Sequence, residues 1–210
     1  MIATIPDAVL TENSLAHAIG SGNITPNDLG PLAAHLDALL ASNFASTKLM
    51  IDRHEGTAVE TFYILSHDSE LEAHRLLQPF VTAYRKQTES EAELDALALA
   101  YPAHLARIAV IGSPWDYPAC FRHLVRASTR CYRELRRALA DTGAFTDEQL
   151  EHFSYFGHVD DEEIHTIDSL LAAAPSAAMG PALDLAHHLA VFEDLFWQRM
   201  VILCTPSTAA

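Results

Sequence analysis

The sequence predicts an all-α fold, a bundle of roughly seven helices around one core. Ala and Leu abound while Gly numbers only 8 in 210 residues, a balance that favours helix over sheet. Apolar residues make up 50% of the chain, enough to fill a core and far from a disordered composition. No linker, repeat or composition shift divides the sequence, so residues 1–210 read as a single helical domain.

The helices follow from caps, breakers and apolar spacing. A first helix is expected over 8–19, stopped by Gly20-Ser21-Gly22. Thr25-Pro26 opens a second that runs to about Leu49, with proline early, where its missing N–H costs little. Gly56-Thr57 starts a long third helix to about Lys86, with a bend at Pro79. Ser90-Glu91 opens a fourth that reaches Ile111 with a kink at Pro102, and 112–118, rich in Gly and Pro, is a break. The fifth covers 119–139 and ends near Gly143. Thr146-x-x-Gln149 resembles a capping box and leads a sixth helix to about Ala174. After a turn from Pro175 to Gly180, the last helix runs from Pro181 to about Leu203, and the tail 205–210 is expected to fray. Such lengths with short connections predict an antiparallel bundle.

The formal net charge of −15, from 13 basic and 28 acidic residues, opposes nucleic acid and anionic lipid, whose binders carry a basic surplus. No apolar run is long enough to span a bilayer; His104 and Arg107 interrupt the best one. The first residues lack the basic and apolar regions of a secretory signal. Cys120, Cys131 and Cys204 form no paired framework and no CxxC, which predicts reduced thiols and a cytoplasmic protein.

The chemistry-bearing residues are His and carboxylates. On one continuous helix His158, Glu162 and His165 fall at i, i+4 and i+7 and share a face, extended by Tyr155 and Ser169. Two imidazoles and a carboxylate at that spacing suit a first-row metal; a solvated face is the alternative, because 160–163 is an unbroken acidic run. Glu60 and His67 lie two turns apart in the third helix amid Val59, Phe62, Tyr63, Ile64 and Leu65, which suggests burial nearly all round. Buried Glu and His need partners: a metal, or else a salt bridge or a hydrogen-bonded core histidine.

The His-x3-Glu-x2-His spacing, preceded by Phe145-Thr146-Asp147-Glu148-Gln149-Leu150-Glu151-His152-Phe153, resembles the last metal-binding helix of the haem-oxygenase-like dimetal oxidases and oxygenases. Glu60 and His67 match that family's earlier Glu and His, so the resemblance covers about 57–197. It implies a seven-helix haem-oxygenase-like bundle, Fe(II) at two ions per chain, O2 as co-substrate, a homodimer and an external electron donor. The implied ligands are Glu60, His67, His158, Glu162 and His165. The sequence departs from the family where a further Glu is expected: Arg126 stands about there, leaving His123 as the substitute ligand ahead of Glu134 and Asp116.

The resemblance further implies oxidation of a small aliphatic amino acid such as isoleucine in natural-product biosynthesis. The expected reaction is C–H desaturation, C–N cyclisation to an azetidine, or both. Six of the 13 basic residues lie in the fifth helix, mostly on one face. Arg126 and Arg130 flank its core side as candidates for binding the substrate carboxylate, against the alternative that the whole stripe pairs with acidic neighbours. Phe192, Phe196 and Trp197 read as core. Two other classes stay open: a thiaminase-like hydrolase of the same fold, which needs a reactive cysteine, and a non-catalytic helical binding or regulatory protein.

Overall fold

The structure, a computed structural model of the chain, describes residues 5–10, 12–88 and 94–206, with 85–88 as backbone alone. Among these residues every regular element is helical: α1 (Ser14–Gly20), α2 (Gly30–Arg53), α3 (Glu60–Thr88), α4 (Ala100–Ile111), α5 (Asp116–Asp141), α6 (Asp147–Phe156), α7 (Asp161–Leu171) and α8 (Ser176–Cys204). A one-turn 3-10 helix, Pro26–Asp28, precedes α2. The all-helical expectation holds. No helix of the described residues is long and apolar enough to cross a membrane.

Four long helices make the frame. The α2 helix packs on α3 and α5 on α8, while α6 bridges α3 and α5 and α4 closes against α2 and α8. Each helix turns an apolar stripe inward: Leu32, Leu36 and Leu40 of α2 meet Tyr63, Leu77 and Phe80 of α3, with Leu105, Leu135, Phe153 and Met200 completing the core. A smaller cluster of Ile5, Ala119, Ile167, Leu171 and Ala182 seats α7 and the first described residues on the start of α5.

Several boundaries differ from the sequence expectation, each for a local reason. Residues 8–10 are not helical; Ala8 N–H donates to the His123 carbonyl at 2.7 Å, and α1 starts later, where the Asn13 side chain accepts the Ala16 N–H at 3.0 Å. Pro102 does not kink a long helix, because α4 begins at Ala100 and puts proline in the first turn, where no N–H is needed. Residues 90 and 91, the expected start of that helix, lie outside the described residues. At α5 the helix opens earlier than expected, since the Asp116 carboxylate accepts from the Ser113 N–H and hydroxyl at 2.8 and 2.6 Å. The last helix also starts early, at Ser176, and runs through Pro181.

The consequential difference lies at 157–160. The single helix expected from 146 to 174 is two helices: α6 ends at Phe156 with Gly157 as its cap residue, and Asp160 caps α7 by accepting the Glu163 N–H at 2.7 Å. The acidic run that follows is the first turn of α7, where negative side chains face the positive end of the helix dipole.

Candidate functional site

The six side chains expected to bind iron are not gathered. His158 sits in the 157–160 connection rather than on a helix, so the one-face relation to Glu162 and His165 is lost. Glu162 and His165 stay on α7 and are exposed. Glu60 is in the first turn of α3, its carboxylate accepting the Gly56 N–H at 2.9 Å. The His67 Nδ1–H donates to the Phe44 carbonyl at 3.0 Å and lies 3.2 Å from the Thr47 hydroxyl, tying α3 to α2. His123 is buried in α5 and its Nδ1–H donates to the Pro6 carbonyl at 2.6 Å. Among the described residues no three His, Cys, Asp or Glu side chains are placed to hold a metal ion. The third helix is also not buried all round, since Ile64 and Leu65 are exposed.

What faces the interior of α3 is a 3/4-spaced stripe: Tyr63, Ser66, Glu70, Ala73, Leu77, Phe80 and Tyr84, all buried. The α8 helix carries a matching one through Ala182, Ala186, Leu189, Glu193, Phe196 and Met200. Each stripe holds one acid, Glu70 at 9% and Glu193 at 7% exposure. Both acids line a cavity of about 420 Å³ bounded by α2, α3, α4, α5, α6 and α8, with the 157–160 connection and Glu163 at its rim. That size is typical of small-molecule sites.

The walls are largely apolar and aromatic. Leu39, Leu40, Phe121, Leu124, Phe196 and Trp197 contribute hydrocarbon surface, and Tyr101, Tyr117 and Tyr132 contribute phenols. Phe196 and Trp197 are therefore both buried core, as expected, and cavity wall. Tyr132 stands edge-on to Trp197 with ring centres 5.4 Å apart. Burial raises the pKa of all three phenols well above the ordinary value, so they stay protonated and can donate.

Against these walls the carboxyl groups are under-satisfied. Asn43 of α2 donates to Glu70 Oε1 at 3.4 Å, and Oε2 has no hydrogen-bond partner. At Glu193 it is Oε1 that lacks one. Burial pushes the Glu70 carboxyl up to about 7, opposed by the Asn43 amide. Burial likewise pushes Glu193 up to about 7, opposed by Ser128 and Trp197. Two acids whose pKa values burial raises to about 7 thus line one largely apolar cavity.

The arginine stripe of α5 turns away from it. Arg126 pairs with Asp161 at 2.7 Å and with Asp7 at 3.9 Å, and Arg130 donates to the Leu10 carbonyl at 2.9 Å and faces Glu134 at 3.8 Å. Neither lines the cavity. Buried Arg122 holds Asp7 and Asp168 at 2.5 and 2.6 Å, so the stripe fastens residues 6–10 and α7 to the bundle. All three cysteines are buried and burial raises their pKa, to about 12 at Cys131 and Cys204. None lines the cavity.

Glu70 and Glu193 are the residues that sequence reasoning passed over. The signal was an acid at an inward position of a largely apolar stripe, seven residues from both Tyr63 and Leu77 in α3, and four from Leu189 and three from Phe196 in α8. The break that displaced His158 was signalled too, by Gly157 followed by Asp160-x-x-Glu163, the stop and start of two helices. Compared with models of protein families, with curated proteins and with solved structures, the chain has no match.

Proposed function

We propose that the chain is a small-molecule enzyme whose active site is the central cavity, with Glu70 and Glu193 as its acid/base groups. The observation that carries this reading is the pair of buried carboxyl oxygens, Glu70 Oε2 and Glu193 Oε1, which together with Asn43 Oδ1 and Trp197 Nε1 are left without a protein partner on one largely apolar chamber. An unsatisfied buried acceptor costs about 1–3 kcal/mol. Several such costs in one cavity are what a site keeps when a ligand completes them. With both pKa values near 7, either group can take up or give a proton at neutral pH without a large energetic penalty. Asn43 and Ser128 orient the carboxyls, the three phenols supply donors for charge that develops on a substrate, and the apolar walls keep water out.

A screen of small metabolites by thermal shift, followed by mass-spectrometric analysis of each hit incubated with the protein, tests the reading. Hits are expected to be converted by the parent chain, bound without conversion by Glu193→Gln or Glu70→Gln, and excluded by Ser128→Trp, which fills the cavity. Hits that are converted equally by all three variants would place the chemistry elsewhere.

The iron-dependent oxidase implied by the resemblance is a second reading, favoured by the position of His158 on the rim of the same cavity. Its expected ligand set does not fit iron as the side chains stand: Glu60, His67 and His123 are engaged with backbone groups, while Glu162 and His165 are exposed. Anaerobic Fe(II) loading of the parent beside a His158→Ala/His165→Ala variant decides between the two. No specific iron is expected on the first reading. Close to two irons per chain, lost in the variant, would establish the second.

A further inference from the structure

We propose that the molecule bound in the central cavity is an apolar amine, held as its ammonium ion by Glu70 and Glu193, and that it carries no carboxylate. This inference rests on the cavity being the active site, and goes further by naming the charge of its substrate.

The ionisable groups that line the cavity are Glu70, Glu163, Glu193 and His158 together with the phenols of Tyr101, Tyr117, Tyr132 and Tyr155; no Lys or Arg is among them. An amino-acid substrate would bring a carboxylate into this chamber. Stripped of water, it would find no cation and would meet two glutamates of its own sign. Four guanidinium groups adjoin wall residues of α5 in sequence, and all are engaged elsewhere: Arg122 with Asp7 and Asp168, Arg126 with Asp7 and Asp161, Arg130 with Leu10 and Glu134, and Arg133 with the Gly157 carbonyl. An aliphatic amino acid such as isoleucine therefore fits the cavity poorly.

Hydrogen-bond complementarity points the same way. An ionised carboxylate only accepts, so whatever completes Glu70 Oε2 and Glu193 Oε1 must donate. An ammonium group offers three donors and the opposite charge, which is the arrangement that makes a buried charge tolerable. The aromatic walls suit it as well: Tyr117, Phe121, Tyr132 and Trp197 can face a cation or pack on its hydrocarbon body. A metal cation is served less well, because two carboxyl groups on apolar walls cannot replace the six or so oxygens of its hydration shell.

Proton linkage follows from the geometry. The groups facing the two acids are Tyr101, Tyr117 and Tyr132, with Cys131 and Asp194 beside Glu193, and with Tyr155, His158 and Glu163 on the rim. The phenols of Tyr101, Tyr117 and Tyr132 and the Cys131 thiol stay protonated near neutrality, and Glu163 is exposed, so the protons displaced from the buried walls when a cation binds come from Glu70 and Glu193. Amine affinity then rises with pH from about 6 to 8 as the two carboxyls ionise.

Calorimetry on the full chain with four matched probes tests the proposal: phenethylamine, 2-phenylethanol, 3-phenylpropanoate and phenylalanine. Phenethylamine is expected to bind at least about tenfold tighter than the alcohol, a difference of about 1.4 kcal/mol, and to release protons, read from the dependence of the enthalpy on buffer. The two carboxylates are expected to bind more weakly than the alcohol. Glu70→Gln and Glu193→Gln should each weaken the amine about tenfold or more while changing the alcohol less than about threefold. Ser128→Trp should abolish both, and thermal melts of each variant check folding. Alcohol binding as tight as amine binding, or equal binding of phenylalanine, overturns the charge assignment and leaves the cavity reading intact. Amine binding untouched by Ser128→Trp overturns it by placing the amine outside. No binding of any probe overturns this proposal and counts against the cavity reading as well.

Discussion

Two acidic regions of this chain invite comparison: the 158–165 corner, dense with His, Asp and Glu, and the isolated pair Glu70 and Glu193 on the inward stripes of α3 and α8. The corner has the richer composition, yet its charges are spent on local structure. Asp160 caps α7, Asp161 and Glu162 sit in the helix's first turn, and Asp161 meets Arg126 at 2.7 Å. The pair looks plain in sequence, yet both carboxyls are buried, desolvated and short of partners. What separates them is solvent. Water satisfies a crowd of exposed charges cheaply, whereas a single buried carboxyl must find a partner or change its protonation.

The largest effect that would sharpen this contrast is on stability. In the Glu70→Gln/Glu193→Gln double variant the buried charges are gone, so at pH 8 it should be more stable than the parent by about 2–4 kcal/mol, a rise in Tm of roughly 4–16 °C. The gain should shrink towards pH 5. Both carboxyls have folded pKa values of about 7 against an ordinary 4.5; they favour the folded state fully below 4.5, and that contribution is lost as pH rises to 7. His152 runs the other way: fully buried, its pKa is lowered to about 4, so its contribution is complete above 6.5 and lost as pH falls towards 4. The two trends offset each other in the parent, and only the difference between parent and double variant isolates the carboxyls. Thermal melts across pH 5–8 read it, and a pH-independent difference would count against their shared titration.

A smaller effect belongs to the fastening of the corner. Arg122→Ala releases Asp7 and Asp168 together and should cost about 1–2 kcal/mol, with faster amide exchange in α7 and little change in α2. Asp160→Ala removes a helix cap and should cost about 1 kcal/mol, again with exchange rising in α7. The smallest effect is expected where the composition is richest: Glu162→Ala and His165→Ala, both exposed, should stay within about 0.5 kcal/mol of the parent by denaturant titration. A loss of several kcal/mol there would give these two side chains of the corner a buried role.

Much of the fold was legible beforehand. Helix identity followed from apolar spacing, and the capping box at Thr146 and Gln149 stands as expected. Boundaries were less legible because short polar groups compete for backbone N–H groups: Asn13, Asp116 and Asp160 each restarted a helix within a few residues of a plausible alternative. That competition moved His158 off the helix, and with it the face it was expected to share with Glu162 and His165. The arginine stripe was legible as a stripe, and its pairing with Asp7, Asp161 and Asp168 is the plainer of the two readings it allowed.

The sequence by itself determined the helical class, the position of most helices and the basic face of α5, because each depends on residues within a few turns of one another. Which carboxylates are buried was left to tertiary packing. Burial is a property of the neighbours that six separate elements bring around Glu70 and Glu193, and no local pattern in α3 or α8 encodes how much water those neighbours leave.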